Sequence, residues 1–220
     1  MPNKTYKIVT IGDSLTEGSG RQSVLSQNPS MPNTYQHYLY YALKKKGIDT
    51  EIHNFGIGGQ VINQICERFS TTVPADIIIT MGGTNDVWRF SEAALGVEKD
   101  MAEDILEQYK SSIDKAVSKQ KSMGKPEPLV IINSIPPIGN VTTVPKNMFN
   151  CLMTVNATLQ DYVKTVKNPK LMYCDTHVTM AGKDHYMRPG LFVPDGVHFT
   201  EEGNRACGEG IAQFLFKILN

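Results

Sequence analysis

The sequence predicts an α/β protein in which a parallel sheet is covered by helices on both faces. Three observations carry this. Short β-rich apolar runs recur at 6–11, 51–55, 76–81, 129–133 and 171–174, and helix-like patterns separate them at 34–46, 60–71, 97–123, 146–167 and 200–219. Two of the runs are continuously apolar, as strands buried on both sides require. The 220 residues suit one domain spanning 1–220, because single cores commonly extend to about 250 residues before they divide. Repeats, low-complexity tracts and Pro/Gly/Ser linkers are absent from the sequence.

Taken in order, the first run leads from Tyr6 into Ile8-Val9-Thr10-Ile11 and stops at Gly12. Ile77-Ile78-Ile79-Thr80-Met81 and Leu129-Val130-Ile131-Ile132 are the continuous pair and belong at the sheet centre. Tyr35, Tyr38, Tyr40 and Tyr41 spread around a helix, which predicts one or two core residues and an exposed remainder. Val97, Met101, Ile105, Ile113 and Val117 form a buried stripe, and the interspersed Glu, Asp and Lys are its solvated side. In the last helix Ile211, Phe214, Leu215 and Ile218 fall at i, i+3, i+4 and i+7, with Thr200 as N-cap and Glu201 and Glu202 in the first turn. Long loops at 18–33, 135–145 and 176–194 follow strand carboxyl ends, the edge where open parallel sheets bind ligands.

Composition removes several function classes. Lys plus Arg (22) cancel Asp plus Glu (22), so the chain has no basic excess for nucleic acid or an anionic membrane. No apolar run approaches the roughly 20 residues of a membrane span. The start lacks a signal-type apolar stretch and cleavage site, so a cytoplasmic location is expected, with a mature secreted form as the alternative. Cys66, Cys151, Cys174 and Cys207 are too scattered for a disulfide framework and are expected as reduced, buried thiols. His37, His53, His177 and His185 form no metal-binding spacing, and neither metal nor cofactor is expected.

Four blocks carry chemistry. Gly12-Asp13-Ser14-Leu15-Thr16-Glu17-Gly18 presents a hydroxyl, and a backbone N–H, at a strand-to-loop transition. Asp195-Gly196-Val197-His198 places an acid and an imidazole three residues apart, a spacing that lets the carboxylate accept from Nδ1 and leaves Nε2 free as a base. Met81-Gly82-Gly83-Thr84-Asn85-Asp86 allows close backbone approach, and Asn85 offers an amide to a developing oxyanion. Asn54-Phe55-Gly56-Ile57-Gly58-Gly59 can aim a glycine N–H into the same space; it fails the dinucleotide pattern at Val61, and no P-loop is present. Asp13 and Asp86 are expected to hydrogen-bond local backbone. Trp88 is expected either at the pocket rim or in the core.

With these blocks in this order, the chain resembles the SGNH hydrolases, also called GDSL esterases/lipases. The resemblance implies a flavodoxin-like three-layer α/β/α fold with a central five-stranded parallel sheet, and cofactor-free ester hydrolysis. It implies Ser14 as nucleophile, His198 as base and Asp195 as orienting acid. The oxyanion donors implied are the Ser14 N–H, the Asn85 amide and the N–H of Gly59, with adjacent Gly58 as the alternative. The Asn85-Asp86-Val87-Trp88-Arg89 run is similar to one in some carbohydrate acetylesterases of that superfamily, which favours a small acyl ester, with O-acetyl on carbohydrate first and short-chain lipid or thioester as rivals. Two competing classes are a metal-assisted phosphoesterase using Asp13, Asn85, Asp86, Asp195 and His198, and a non-catalytic binding protein on the same fold. The expected partner is a small-molecule or carbohydrate ester; the oligomeric state is left open. Apolar pocket walls are expected from Phe192-Val193-Pro194 and Pro136-Pro137-Ile138, with the loops at 19–33, 135–150 and 176–194 shaping substrate choice.

Overall fold

The computed structural model describes residues 4–18, 34–89, 98–139 and 144–219. Five strands, β1 (Tyr6–Gly12), β2 (Thr50–Gly56), β3 (Ile77–Met81), β4 (Leu129–Asn133) and β5 (Leu171–Cys174), form one all-parallel sheet in the order β2-β1-β3-β4-β5. Every residue of β3 and β4 is buried, as their continuous apolar sequence requires. The order places the topological switch between β1 and β3: the chain leaves β1 towards β2 on one side and returns to β3 on the other.

Helices connect the strands: α1 (Ser14–Glu17), α2 (Tyr35–Lys45), α3 (Ile62–Glu67), α4 (Thr84–Arg89), α5 (Glu98–Ser122), α6 (Lys146–Val166), α7 (Thr176–Met180) and α8 (Glu201–Leu219). One helical layer is built on the packing of α2 against α8 and the other on α5 against α6 and α3, giving three α/β/α layers. The expected cap at Thr200 is present, and Thr34 caps α2 as well. Thr34 Oγ1 accepts from His37 N–H at the start of α2, and Thr200 Oγ1 accepts from Gly203 N–H at the start of α8. Tyr35, Leu39 and Leu43 at i, i+4 and i+8 give α2 its buried face, while Tyr41 is exposed.

The structure departs from sequence expectation in two places. The helix expected over 60–71 is divided: α3 ends at Glu67 and a 3-10 turn occupies Phe69–Thr71. Arg68 sits at the break, where its guanidinium bonds the Phe55 and Gly12 carbonyls and the Gln60 side chain, a tertiary demand that local periodicity does not record. The loop expected over 176–194 contains α7 and the antiparallel bridges Ala181–Met187 and Phe192–Phe199. Residue 97, at the expected start of the long helix, the loop at 19–33 and residues 140–143 lie outside the described residues. All four cysteines are buried and unbridged, and among the described residues no helix is long and apolar enough to cross a membrane.

Gly208 shows how closely the first layer is packed. A Cβ there would lie 2.2 Å from the Tyr35 carbonyl oxygen and 2.8 Å from Leu39 N, both backbone atoms of α2 that cannot swing aside. Gly208→Ala is therefore expected to separate α2 from α8 and lower unfolding free energy by about 1–3 kcal/mol, as overpacking does. Urea denaturation of the two proteins measures this, with an unchanged midpoint as the contrary result.

Candidate active site

The register of the sheet brings three of the four chemical blocks to one level. Gly12 pairs with Gly56 on one side and Met81 on the other, so β1, β2 and β3 end together at the switch point. Beyond those ends, Ser14 opens α1, Gly58 and Gly59 lie in the turn after β2, and Asn85 occupies the first turn of α4.

The fourth block arrives on a hairpin-like segment. Val193 N–H donates to the His198 carbonyl (2.9 Å) and Thr200 N–H to that of Leu191 (3.0 Å), closing a turn in which Gly196 adopts a φ of 76°. The left-handed conformation there favours glycine. Asp195 Oδ1 accepts from the N–H groups of Val197 (2.8 Å) and His198 (3.0 Å), which orients the carboxylate from its own turn. Its Oδ2 lies 2.7 Å from His198 Nδ1, and His198 Nε2 lies 2.9 Å from Ser14 Oγ, 184 positions away in sequence. Partial burial pushes the Asp195 carboxyl up, but the backbone and imidazole bonds outweigh it and hold the group below the usual carboxylate range. A carboxylate on Nδ1 fixes the proton there, leaving Nε2 as acceptor for the Ser14 hydroxyl proton.

The amides near Ser14 differ in what they already bond. Gly58 N–H donates to Glu17 Oε2, whereas neither the Ser14 N–H nor the Gly59 N–H is bonded to a described residue. Gly59 has a φ of 75°, and a Cβ built on it would meet nothing within 4 Å. Asn85 Nδ2 donates one hydrogen to the Gln60 carbonyl at 2.9 Å and keeps its second. Arg89 donates to the Gly59 carbonyl (3.1 Å), and the Asp86 carboxylate accepts at Oδ2 from Ile62 N–H (2.9 Å) besides the expected local interaction with its own backbone N–H. Trp88 is 46% exposed, so the core alternative does not hold for it. Sequence reading missed Glu17, Arg68 and Arg89 as partners of the glycine turn. Nothing local signals them, since Glu17 and Gly58 are 41 positions apart.

Beside Ser14 and His198 lies a cavity of about 420 Å³, walled by Leu15, Gly18, Val193 and Phe199 and by the polar Thr200, Glu201 and Asn204. Of the expected apolar walls, Val193 lines it, whereas Phe192, Pro194, Pro136, Pro137 and Ile138 do not. Among the described residues no three His, Cys, Asp or Glu side chains converge as a ligand set for a metal.

Behind Ser14 the floor is polar and closed. Asp13 is fully buried and caps α1, its Oδ1 accepting from Leu15 N–H at 3.0 Å, as expected. Its Oδ2 and the Thr84 hydroxyl adjoin each other and have no other partner among the described residues. Burial outweighs the Leu15 and Thr84 interactions and raises the Asp13 carboxyl to about 7 from 3.8. Because the folded-state value lies above the unfolded one, the folded protein holds the extra proton between them. The associated stability is complete below pH 3.8 and lost as pH rises through about 7. This group should remove on the order of 4 kcal/mol of unfolding free energy across that window. Asp13→Asn should flatten the decline, so that urea midpoints at pH 5 and pH 8 differ less than in the parent; an equal difference would show Asp13 ionised throughout.

The chain matches the family model of GDSL-like lipases/acylhydrolases over residues 8–211. No curated protein sequence matches it. Among solved structures it is similar to Est24, a carbohydrate acetylesterase from Sinorhizobium meliloti: 15% identity, 97% of this chain and 99% of that one covered, TM-score 0.69. It is similar also to a catalytic mutant of Axe2, an acetylxylan esterase from Geobacillus stearothermophilus: 19% identity, 97% and 94% covered, TM-score 0.69. The aryl esterase of M. smegmatis gives 18% identity, 97% and 99% covered, and a TM-score of 0.67. At these identities the structural likeness speaks to the shared fold, while the family model, running from β1 into α8, spans all four chemical blocks. The chain belongs to the GDSL-like lipase/acylhydrolase family and is a carboxylic ester hydrolase.

Proposed function

We propose that the protein hydrolyses small acyl esters, O-acetyl groups on carbohydrate foremost, through a serine-linked acyl-enzyme. The observation that carries this reading is the unbroken chain Asp195 Oδ2, His198 Nδ1, His198 Nε2 and Ser14 Oγ, with contacts of 2.7 and 2.9 Å. His198 Nε2 takes the Ser14 proton as Oγ attacks the ester carbonyl carbon. The carbonyl π electrons move onto oxygen, and the oxyanion accepts hydrogen bonds from the Ser14 and Gly59 N–H groups and the second Asn85 amide hydrogen. Collapse breaks the ester C–O bond, the alcohol leaves with the proton from His198, and the acyl group remains on Ser14. Water then attacks the acyl carbon and gives a proton to Nε2; the second tetrahedral intermediate collapses by breaking the bond to Ser14 Oγ, which takes the proton back from Nε2, and the carboxylic acid leaves. Asp195 keeps the imidazole in the required tautomer and stabilises its cation during both steps.

The acetylated carbohydrate is favoured by three features. Trp88 stands three residues from Asn85 on α4, so both lie on one helix face, and its half-exposed indole offers a flat apolar surface to a sugar ring. The cavity beside Ser14 carries polar groups along with apolar ones, which suits a hydroxylated alcohol better than a long acyl chain. The names of structural relatives include a carbohydrate acetylesterase and an acetylxylan esterase.

Hydrolysis of p-nitrophenyl acetate should be chelator-insensitive and blocked by an organophosphonate. Ser14→Ala should nearly abolish it, and Asn85→Ala should lower turnover by about 100- to 1,000-fold, as loss of one oxyanion donor does. An unchanged rate in purified Ser14→Ala removes the nucleophile assignment. Rates across acetyl, butyryl and octanoyl p-nitrophenyl esters and acetylated xylan oligomers test the substrate: a fall with chain length, with release of acetate from xylan, is expected. Preference for octanoyl would point to the lipid or thioester alternative.

A further inference from the structure

We infer that Glu17 is a positioning residue for the oxyanion site, occupying the Gly58 N–H so that the Gly58–Gly59 peptide presents the Gly59 N–H to substrate. The inference rests on the serine-esterase reading above and adds a residue to it. Two consecutive glycines form the turn after β2, and a peptide between glycines meets little steric resistance to rotation about the flanking ψ and φ bonds. An amide donor mounted on such a peptide is preorganised only if its surroundings hold it.

The structure holds it from both ends. At one end Gly58 N–H donates to Glu17 Oε2, and at the other the Gly59 carbonyl accepts from Arg89 at 3.1 Å. A negative side chain thus grips the N–H before the peptide, and a positive one grips the C=O after it. Glu17 is itself fixed against β2: its carbonyl accepts from Asn54 Nδ2 (3.1 Å), and Asn54 Oδ1 accepts from Gly56 N–H (2.9 Å). A Cβ at Gly56 would lie 2.0 Å from Glu17 N, so the last turn of α1 rests directly on the end of β2. A Cβ at Gly58 would lie 2.7 Å from Glu17 Oε2 and 3.7 Å from Ser14 Cβ, which puts the turn in contact with the attacking residue. Since Ser14 and Glu17 are the first and last residues of α1, one short helix carries the nucleophile and the group that orders the amide turn beside it.

What this assignment requires of Glu17 is an acceptor oxygen at a fixed reach. Its negative charge is not required, since a charge of that sign near a forming oxyanion opposes it by Coulomb repulsion. Glu17→Gln keeps an acceptor oxygen at the same reach and removes the charge, so it should retain kcat on p-nitrophenyl acetate within about threefold. Glu17→Ala removes the acceptor and should lower kcat by about 10- to 100-fold, the scale of a small misplacement of a catalytic group. KM should change less than about threefold, because the lost interaction belongs to the transition state. Glu17→Asp withdraws the carboxylate by one methylene and should behave like the alanine variant; it provides the same comparison should the alanine protein not fold, as circular dichroism would reveal. Parental kcat in the alanine variant, or in the aspartate variant where alanine does not fold, overturns the inference, as does a glutamine variant as slow as alanine or a change confined to KM. Parent and Ser14→Ala are assayed alongside. Ser14-dependent turnover that ignores Glu17 defeats this inference alone, whereas turnover independent of Ser14 defeats the esterase reading on which it rests.

Discussion

At the end of β1 the backbone runs so close to its neighbours that a Cβ on Gly12 would lie 2.2 Å from the Met81 carbonyl oxygen and 2.2 Å from Thr16 Oγ1. This approach governs the geometry of the site. It lets β1 and β3 keep their ladder to the last pair and lets α1 begin two residues later without moving away from the sheet. With Gly12 also paired to Gly56, three strands finish in step. Short segments then suffice to carry a hydroxyl, a pair of glycine amides and a carboxamide to one edge. Groups mounted so near a rigid sheet need little further ordering, which is the condition for electrostatic stabilisation of a transient charge.

The imidazole and its carboxylate follow a different principle. They arrive on a turn braced by its own hydrogen bonds, and Asp195 divides its two oxygens between that turn and His198. The bracing is local, so the Asp-His unit is held as one piece and is set against Ser14 by the bridge between Phe192 and Phe199 and by the start of α8. Sheet-mounted and turn-mounted parts meet at the contact between Ser14 Oγ and His198 Nε2.

Directly beneath the exposed chemistry is a layer that is costly to bury. Asp13, Thr84, Tyr35 and Thr16 bury polar side-chain oxygens there, with Asp13 beside Thr84 and Tyr35 beside Thr16. Gln36 accounts for part of this layer by donating to Thr10 Oγ1 and the Thr16 carbonyl, tying α2 to the segment that holds Ser14.

Legible in the sequence alone were the alternation of strands and helices, the placing of the two wholly apolar strands inside the sheet, the cap at Thr200, and the local pairing of Asp195 with His198. Each is written in residues only a few positions apart, where periodicity, side-chain length and turn chemistry act directly. The division of the helix near Arg68, the small helix within 176–194 and the bond that Ile62 N–H donates to Asp86 were not legible, because each depends on a neighbour brought in from another segment. The same holds within the glycine turn: Gly58 and Gly59 are equivalent as letters, and they differ in the structure because Glu17, from a different element, bonds one of them and not the other. Local sequence supplied the chemical groups, and the folding of distant segments onto one another sets which of them meet, through sheet register and close backbone packing.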